Sequence, residues 1–151
     1  MPRVIAKLAK VITKATRKPR RGPWPPDPAR VRSIVDGLEE LYPDVDCELD
    51  RETPFQLLAA TILSAQSTDK MVNTVTPALF KKYRTAEHFA NADTGDLEAL
   101  IRPTGFFRNK AKHIQEACRI ISEKHHGKVP RTMPELLELP GVARKTANVV
   151  L

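Results

Sequence analysis

The chain has 151 residues, of which 41% are hydrophobic and 28% are charged. This composition supports one moderate core, and no apolar run approaches the ~20 residues that cross a bilayer, so we exclude a membrane protein and expect a cytoplasmic one. The net charge of +7 arises in the tail: eight Lys or Arg and no acid precede Asp27, leaving 17 basic and 18 acidic residues. Charge therefore supports a nucleic-acid partner only weakly.

Residues 1–27 form a basic, proline-rich segment that we predict to be a disordered tail. Its first residues alternate apolar side chains with lysines in a short amphipathic pattern. Two other roles stay open, a transit segment and an arm that contacts DNA phosphates. Six of the 13 prolines lie before Ala29, so we expect the folded region, residues 28–151, to begin near Pro28.

Hydrophobic periodicity predicts an all-α protein. An apolar stripe predicts a helix over 29–41. Thr53, Pro54 and Gln56 form a helix-start signature, and the helix that follows, residues 55–65, is apolar nearly all round. We expect it to be the buried centre of a compact multi-helix bundle.

Further helices are predicted after a polar segment, S-A-Q-S-T-D at residues 64–69, in which Thr68 or Asp69 can cap the next helix. Pro77 should kink or break that helix, and a second capping signature begins at Thr132. No strand-type alternation of useful length occurs. The predicted helices span residues 71–83, 86–92, 96–101, 109–126 and 135–139.

The last thirteen residues, L-P-G-V-A-R-K-T-A-N-V-V-L, predict a helix end, a tight turn and a new helix near Arg144. Pro140 cannot continue a helix, and Gly141 tolerates a positive φ. Backbone N–H groups at such a helix start are suited to hold a phosphate. Lys145 would lie in the first turn, where the helix dipole disfavours the charged ammonium. It is therefore a candidate nucleophile, the alternative being an ordinary surface lysine.

A weaker copy of this pattern occurs 36 residues earlier, in L-I-R-P-T-G-F-F-R-N-K-A. Aligning Gly105 with Gly141 superposes Arg108 on Arg144 and Ala111 on Ala147. We predict a second hairpin-like turn there. Phe106 should be exposed at its tip. The alternative is that Phe106 and Phe107 both close the core beneath the turn, a role that fits Phe107 better.

Metal ligation is not predicted within this chain. Cys47 and Cys118 are its only cysteines, and we interpret both as free thiols in a reducing compartment. His113, His125 and His126 have the spacing of neither a metal pair nor a catalytic triad, so we interpret them as surface or cap residues.

The stretches P-G-V-A-R-K-T-A and S-A-Q-S-T-D resemble those of the helix-hairpin-helix DNA glycosylases, specifically the endonuclease III family. The resemblance implies that Lys145 is the catalytic amine. It also implies that Gln66 enters the duplex where the damaged nucleotide has been flipped out, and that Phe106 is a wedge between base steps. Phosphate would be held by the backbone amides of Gly141, Val142 and Ala143.

The activity implied by the resemblance is base-excision repair: a DNA glycosylase with abasic-site lyase activity on oxidised pyrimidines in double-stranded DNA. The partner would be duplex DNA that contains a damaged base or an abasic site, bound by a monomer. Two alternatives stay open, a non-catalytic DNA-binding fragment and a pyrimidine-dimer glycosylase of the same family.

Two departures from the family pattern affect these expectations. Ala143 replaces a usual glycine, and if its φ must be positive, alanine costs ~1 kcal/mol. The family's essential aspartate and the four cysteines of its 4Fe-4S cluster would fall beyond Leu151. We therefore expect a fragment of a longer protein or a truncated product, without a cofactor of its own. In the family, the N-terminal helix, here residues 29–41, joins the iron–sulfur domain.

Overall fold

The computed structural model describes residues 25–151. Its contacts divide the chain into two units, Met1–Val45 and Asp46–Leu151. The amphipathic pattern near the N-terminus and nearly all of the predicted tail lie outside the described residues. The assignment of residues 28–151 to a single core stays a prediction.

The first unit contains helix α1, Pro28–Leu41. Asp27 caps it, because the Asp27 carboxylate accepts a hydrogen bond of 3.1 Å from the Ala29 N–H. The predicted apolar stripe lies on this helix, but none of the helix residues is buried within the described structure. Its members are 42–71% exposed: Val31, Ile34, Val35, Leu38 and Leu41.

The second unit is all-α in the part of the chain described, which confirms the predicted fold class. Helix α3 continues through Pro77, so of the predicted kink or break, the break does not occur: Val75, Thr76 and Leu79 anchor both sides of Pro77 in the core. The helices are α2 Pro54–Leu63, α3 Asp69–Lys82, α4 Ala86–Ala90, α5 Thr94–Ile101, α6 Phe107–Lys124, α7 Met133–Leu137 and α8 Arg144–Val150, with a 3₁₀ turn at Arg102–Thr104 between α5 and α6.

Helix α2 is the buried centre, as predicted, although it ends at Leu63, two residues early. All six residues from Leu58 to Leu63 are buried. Thr61 satisfies its hydroxyl by donating to the Leu57 carbonyl at 2.7 Å. Helix α2 packs against α3, α6 and α8, so it joins the elements that carry the candidate site.

Most helices in this unit begin with a capping side chain, and two do not. The hydroxyl or carboxylate of the capping residue accepts a backbone N–H bond at the start of five helices, at Thr53, Thr68, Thr85, Asp93 and Thr132. Helices α6 and α8 begin without such a bond, after Phe106 and Ala143. Both uncapped helices follow the two predicted glycine turns.

Candidate nucleic-acid interface

The Gly141 turn, residues 139–143, reverses the chain as the sequence predicts. Gly141 has a φ of +80°, which only glycine adopts readily. The Val142 N–H donates to the Leu139 carbonyl at 3.1 Å, and the Val142 side chain is buried. Helix α8 then begins at Arg144.

This turn packs tightly on helix α6. A Cβ atom added to Gly141 would lie 3.0 Å from the Cβ of His113. His113 therefore contacts the turn, a role that the sequence did not reveal because 28 residues separate the two positions. A glycine at this point is required both by its φ and by the close approach of α6.

Ala143 is unstrained, so the cost expected from its replacing a glycine does not arise. Its φ is −93° and its ψ is 170°, an extended conformation that any residue adopts. Its methyl side chain cannot cap α8, and the first N–H groups of a helix have no partner within the helix itself. Of the three backbone amides predicted to hold phosphate, that of Val142 donates to the Leu139 carbonyl, whereas those of Gly141 and Ala143 make no backbone hydrogen bond among the described residues.

Lys145 is the second residue of α8, and its side chain is exposed. The ion pairs among residues 25–151 do not include it. Its amine is therefore accessible from solvent beside the uncapped helix start. A nucleophile requires such access.

The Phe106 turn, residues 102–107, repeats the order of helix end, glycine and new helix. Gly105 has a φ of +70°, and Phe106 adopts the left-handed conformation at φ 47° and ψ 27°. The aligned Ala111 and Ala147 are both fully buried, as an internal repeat predicts. The tips differ, because the Phe106 side chain is 64% exposed whereas that of the aligned Val142 is buried.

Lys110 supports the Phe106 turn from below and was missed at the sequence level. Its ammonium donates to the Thr104 carbonyl at 2.7 Å, and the residue is 4% exposed. Burial lowers the pKa of this lysine, because desolvation disfavours the charged form. Its position beside Ala111 and Ile114 on the buried face of α6 was the available signal.

Gln66 is exposed in the segment between α2 and α3, with a φ of 55°. Thr68, not Asp69, caps α3. The remaining non-glycine residue with positive φ among those described is His126, which follows the C-cap of α6. Left-handed conformations cost free energy and often mark functional sites, so Gln66 and Phe106 share a conformational signature.

Connected helices carry the candidate side chains. Gln66 follows α2, Phe106 precedes α6, and Lys145 lies on α8, while α2 contacts both of the other helices. His113, on which Gly141 packs, lies seven residues after Phe106, which corresponds to about 10 Å along α6. Among the described residues, no hydrogen bond or ion pair joins the side chains of Gln66, Phe106 and Lys145.

The residues present do not fit the iron–sulfur cluster that the resemblance implies. The chain has two cysteines, whereas a cluster of this kind needs four thiolates. Cys118 is buried within α6, and no group of three or more His, Cys, Asp or Glu among residues 25–151 could hold a metal ion. The described part of the chain also contains no helix with the length and apolar character to cross a membrane.

The two thiols should differ in reactivity. Burial raises the pKa of Cys118 to about 12, so its thiol stays protonated at pH 8, while Cys47 is half-buried. We expect an aromatic disulfide reagent to modify one thiol rapidly in the native protein and both thiols in denaturant, measured by absorbance. Cys47→Ser should remove the rapid phase, and equal native rates for both thiols would contradict the burial of Cys118.

Comparison with known proteins agrees with these features. The model of the HhH-GPD superfamily of base excision DNA repair proteins matches residues 59–150. Endonuclease III of Synechocystis sp. is 61% identical over 122 residues, covering 81% of this chain and 56% of that protein. The Bacillus subtilis endonuclease III is 43% identical with the same coverage of both chains.

Solved structures give the same result. A non-covalent endonuclease III–DNA complex matches with a TM-score of 0.74 and 48% identity, covering 81% of this chain and 57% of that one. A trapped endonuclease III–DNA covalent intermediate matches with the same values. This chain thus spans a little more than half the length of these relatives. By its matched residues and its all-α fold, the chain belongs to the HhH-GPD superfamily of base excision DNA repair proteins.

Proposed function

We propose that this chain is the lysine-bearing part of a DNA glycosylase with abasic-site lyase activity on oxidised pyrimidines in duplex DNA. One observation carries the proposal: Lys145 is exposed in the first turn of an uncapped helix, directly after the Gly141 turn, within the stretch that matches the family. The similarity to endonuclease III proteins solved with DNA supports it.

Phosphate binding is assigned to the start of α8. The N–H groups of Gly141, Ala143 and the first turn of α8 carry the positive end of the helix dipole, which favours an anion. Ala143 offers no side-chain oxygen to compete for these groups. A backbone phosphate held there would bring the sugar of the adjoining nucleotide near the Lys145 amine.

Opening of the duplex is assigned to Phe106 and Gln66. An exposed phenyl ring at a turn can enter between base steps and separate them, at a cost of a few kcal/mol for unstacking. The Gln66 amide offers two donors and an acceptor, which suits the edge of the base left without its partner. Both residues are exposed and adopt the left-handed conformation, which supports a shared role.

The chemistry assigned to Lys145 is covalent catalysis. Its neutral amine forms a bond with C1′ of the sugar as the bond from C1′ to the base breaks, and the base leaves with a proton. Opening of the sugar ring gives a Schiff base between the lysine nitrogen and C1′. Loss of a proton from C2′ then expels the 3′ phosphate and cleaves the strand.

Borohydride trapping tests this proposal, because reduction makes a Schiff base permanent. We expect wild-type protein to form a stable adduct with abasic-site duplex DNA, and Lys145→Ala to form none, on a denaturing gel. Lys70→Ala is a matched control, since Lys70 is also an exposed second residue of a helix, α3, and this variant should be trapped like the wild type.

Two results would overturn the proposal. Trapping that persists in Lys145→Ala would show that another amine reacts. DNA binding by the wild type without any adduct would favour the non-catalytic DNA-binding alternative. An enzyme of this kind would act where the chromosome lies, so we propose a bacterial cytosol or nucleoid location, and the monomeric state stays a prediction.

A further inference from the structure

Two arginines flank the aromatic anchor of the Phe106 turn. The guanidinium carbon of Arg102 lies 5.8 Å from the centroid of the Phe107 ring, and that of Arg108 lies 5.7 Å from it. The Phe107 ring itself is partly buried and packs against the core. In sequence, the two arginines bracket Gly105 and Phe106, one in the 3₁₀ turn and one in the first turn of α6.

Neither arginine has its charge neutralised by an acidic residue within the described structure. Both side chains are exposed, and the ion pairs among residues 25–151 do not include either of them. By contrast, Arg51 is paired with Asp46 at 2.6 Å. A guanidinium that stacks on a ring keeps its N–H groups at its edge free for bidentate contacts with an oxyanion.

The surroundings favour an anion between or beside the two guanidiniums. The first turn of α6 contains no acidic residue, and the first acid along that helix is Glu116. On the packed helix α5, Asp96 is already paired with Lys82 at 2.7 Å, while Glu98 pairs with neither arginine. The cation–π contacts with Phe107 also favour positions of both guanidiniums beside the turn before any ligand binds.

We propose that Arg102 and Arg108 form a phosphate clamp, which binds the DNA backbone on either side of the step that Phe106 enters. The clamp deepens the proposed function and rests on it. A wedge separates bases only if the backbone beside it is held, because otherwise the strand moves away from the inserted ring. The two arginines supply charge-assisted contacts at the two ends of the same turn.

Salt dependence of binding tests the clamp, because each phosphate contact releases condensed counterions. The measurement is the dissociation constant for a duplex with a tetrahydrofuran abasic analogue, which the lyase cannot cleave, between 50 and 200 mM salt. We expect Arg102→Gln and Arg108→Gln each to reduce the slope of log affinity against log salt by roughly 0.9, and the double variant by about 1.8.

Arg119→Gln is the matched control. Arg119 is an exposed, unpaired arginine on the same helix, about 16 Å along α6 from Arg108, and it stacks on no described ring. Its replacement removes the same charge and should leave the slope at the wild-type value. Arg102→Lys and Arg108→Lys retain the charge, so they should keep most of the slope that the glutamine variants lose.

Several results would overturn the clamp. One is that the glutamine variants give the same slope as Arg119→Gln. Another is weaker binding with an unchanged slope, which would indicate lost packing. Folding of each variant is checked by helical circular dichroism. Wild-type protein that is trapped on abasic DNA while the slopes stay unchanged overturns the clamp alone. Wild-type protein that binds no DNA overturns the proposed function with it.

Discussion

Replacing Phe106 with glycine should reduce activity on a lesion in paired duplex about 100-fold, which corresponds to ~2.7 kcal/mol in the activation barrier. The phenyl ring supplies the wedge that offsets unstacking, and glycine has no side chain to insert. The measurement is kcat/KM for strand cleavage at an oxidised pyrimidine. The same lesion in a bubble of mismatched pairs is already unstacked, so activity on it should fall less than about threefold.

Stability should change little in this variant, because opposing effects nearly cancel. Glycine relieves the cost of ~1–2 kcal/mol that a side chain incurs at a φ of 47°. It loses about 0.5–1 kcal/mol through greater freedom of the unfolded chain. The Phe106 side chain is already 64% exposed, so little burial is lost. We expect the free energy of unfolding to stay within about 1 kcal/mol of the wild type in urea titrations.

The comparison of two substrates makes the Phe106 prediction specific. Phe106→Ala should lose the same activity as the glycine variant but keep the backbone strain, so it should be the less stable of the two. Equal losses on the paired and the bubble substrates would contradict the wedge and assign Phe106 to general binding.

Replacing Gly141 with alanine should lower the free energy of unfolding by about 2–4 kcal/mol and weaken DNA binding at least tenfold. The new methyl group meets two obstacles. The φ of +80° is unfavourable for alanine, and the added Cβ would lie 3.0 Å from the Cβ of His113. The turn must move away from α6, which displaces the amides assigned to phosphate.

Gly127→Ala separates the effect of the positive φ from the effect of the contact with His113. Gly127 has a φ of +76°, but an added Cβ there meets nothing within 4 Å, so this variant carries the backbone strain alone, about 1 kcal/mol. Urea denaturation and binding to abasic-analogue duplex compare the two variants. Equal destabilisation in both, with DNA affinity intact in Gly141→Ala, would show that the contact with His113 does not position the turn.

The sequence predicted the structural features that depend on residues close together in the chain. Capping residues such as Thr53 and Thr132, the reversal at Gly141 and the apolar helix α2 each depend on neighbours along the chain, and all three agree with the structure. The position of Phe107 beneath an exposed Phe106 also followed from the repeat of the glycine turn.

The features that the sequence did not predict depend on contacts between residues that are far apart in the chain. Pro77 lies inside α3 because core residues hold the helix on both sides of it. The approach of His113 to Gly141, and the hydrogen bond from buried Lys110 to the Thr104 carbonyl, become visible only when α6 packs against both turns. The amides of Gly141, Val142 and Ala143 were predicted to hold phosphate as a group, and the bond from the Val142 N–H to the Leu139 carbonyl was not predicted.

The pattern of helix caps has a consequence for attempts to make this protein more heat-resistant. Five helix starts in the second unit already carry a side-chain cap, and of the two that do not, only the one after Ala143 has the extended backbone that a capping side chain needs, because Phe106 is left-handed. An aspartate or serine at Ala143 would satisfy helix amides and add about 1 kcal/mol. It would also place a competing oxygen, or a negative charge, where we propose that DNA docks. In this fold, the most obvious route to thermal stability therefore conflicts with repair activity.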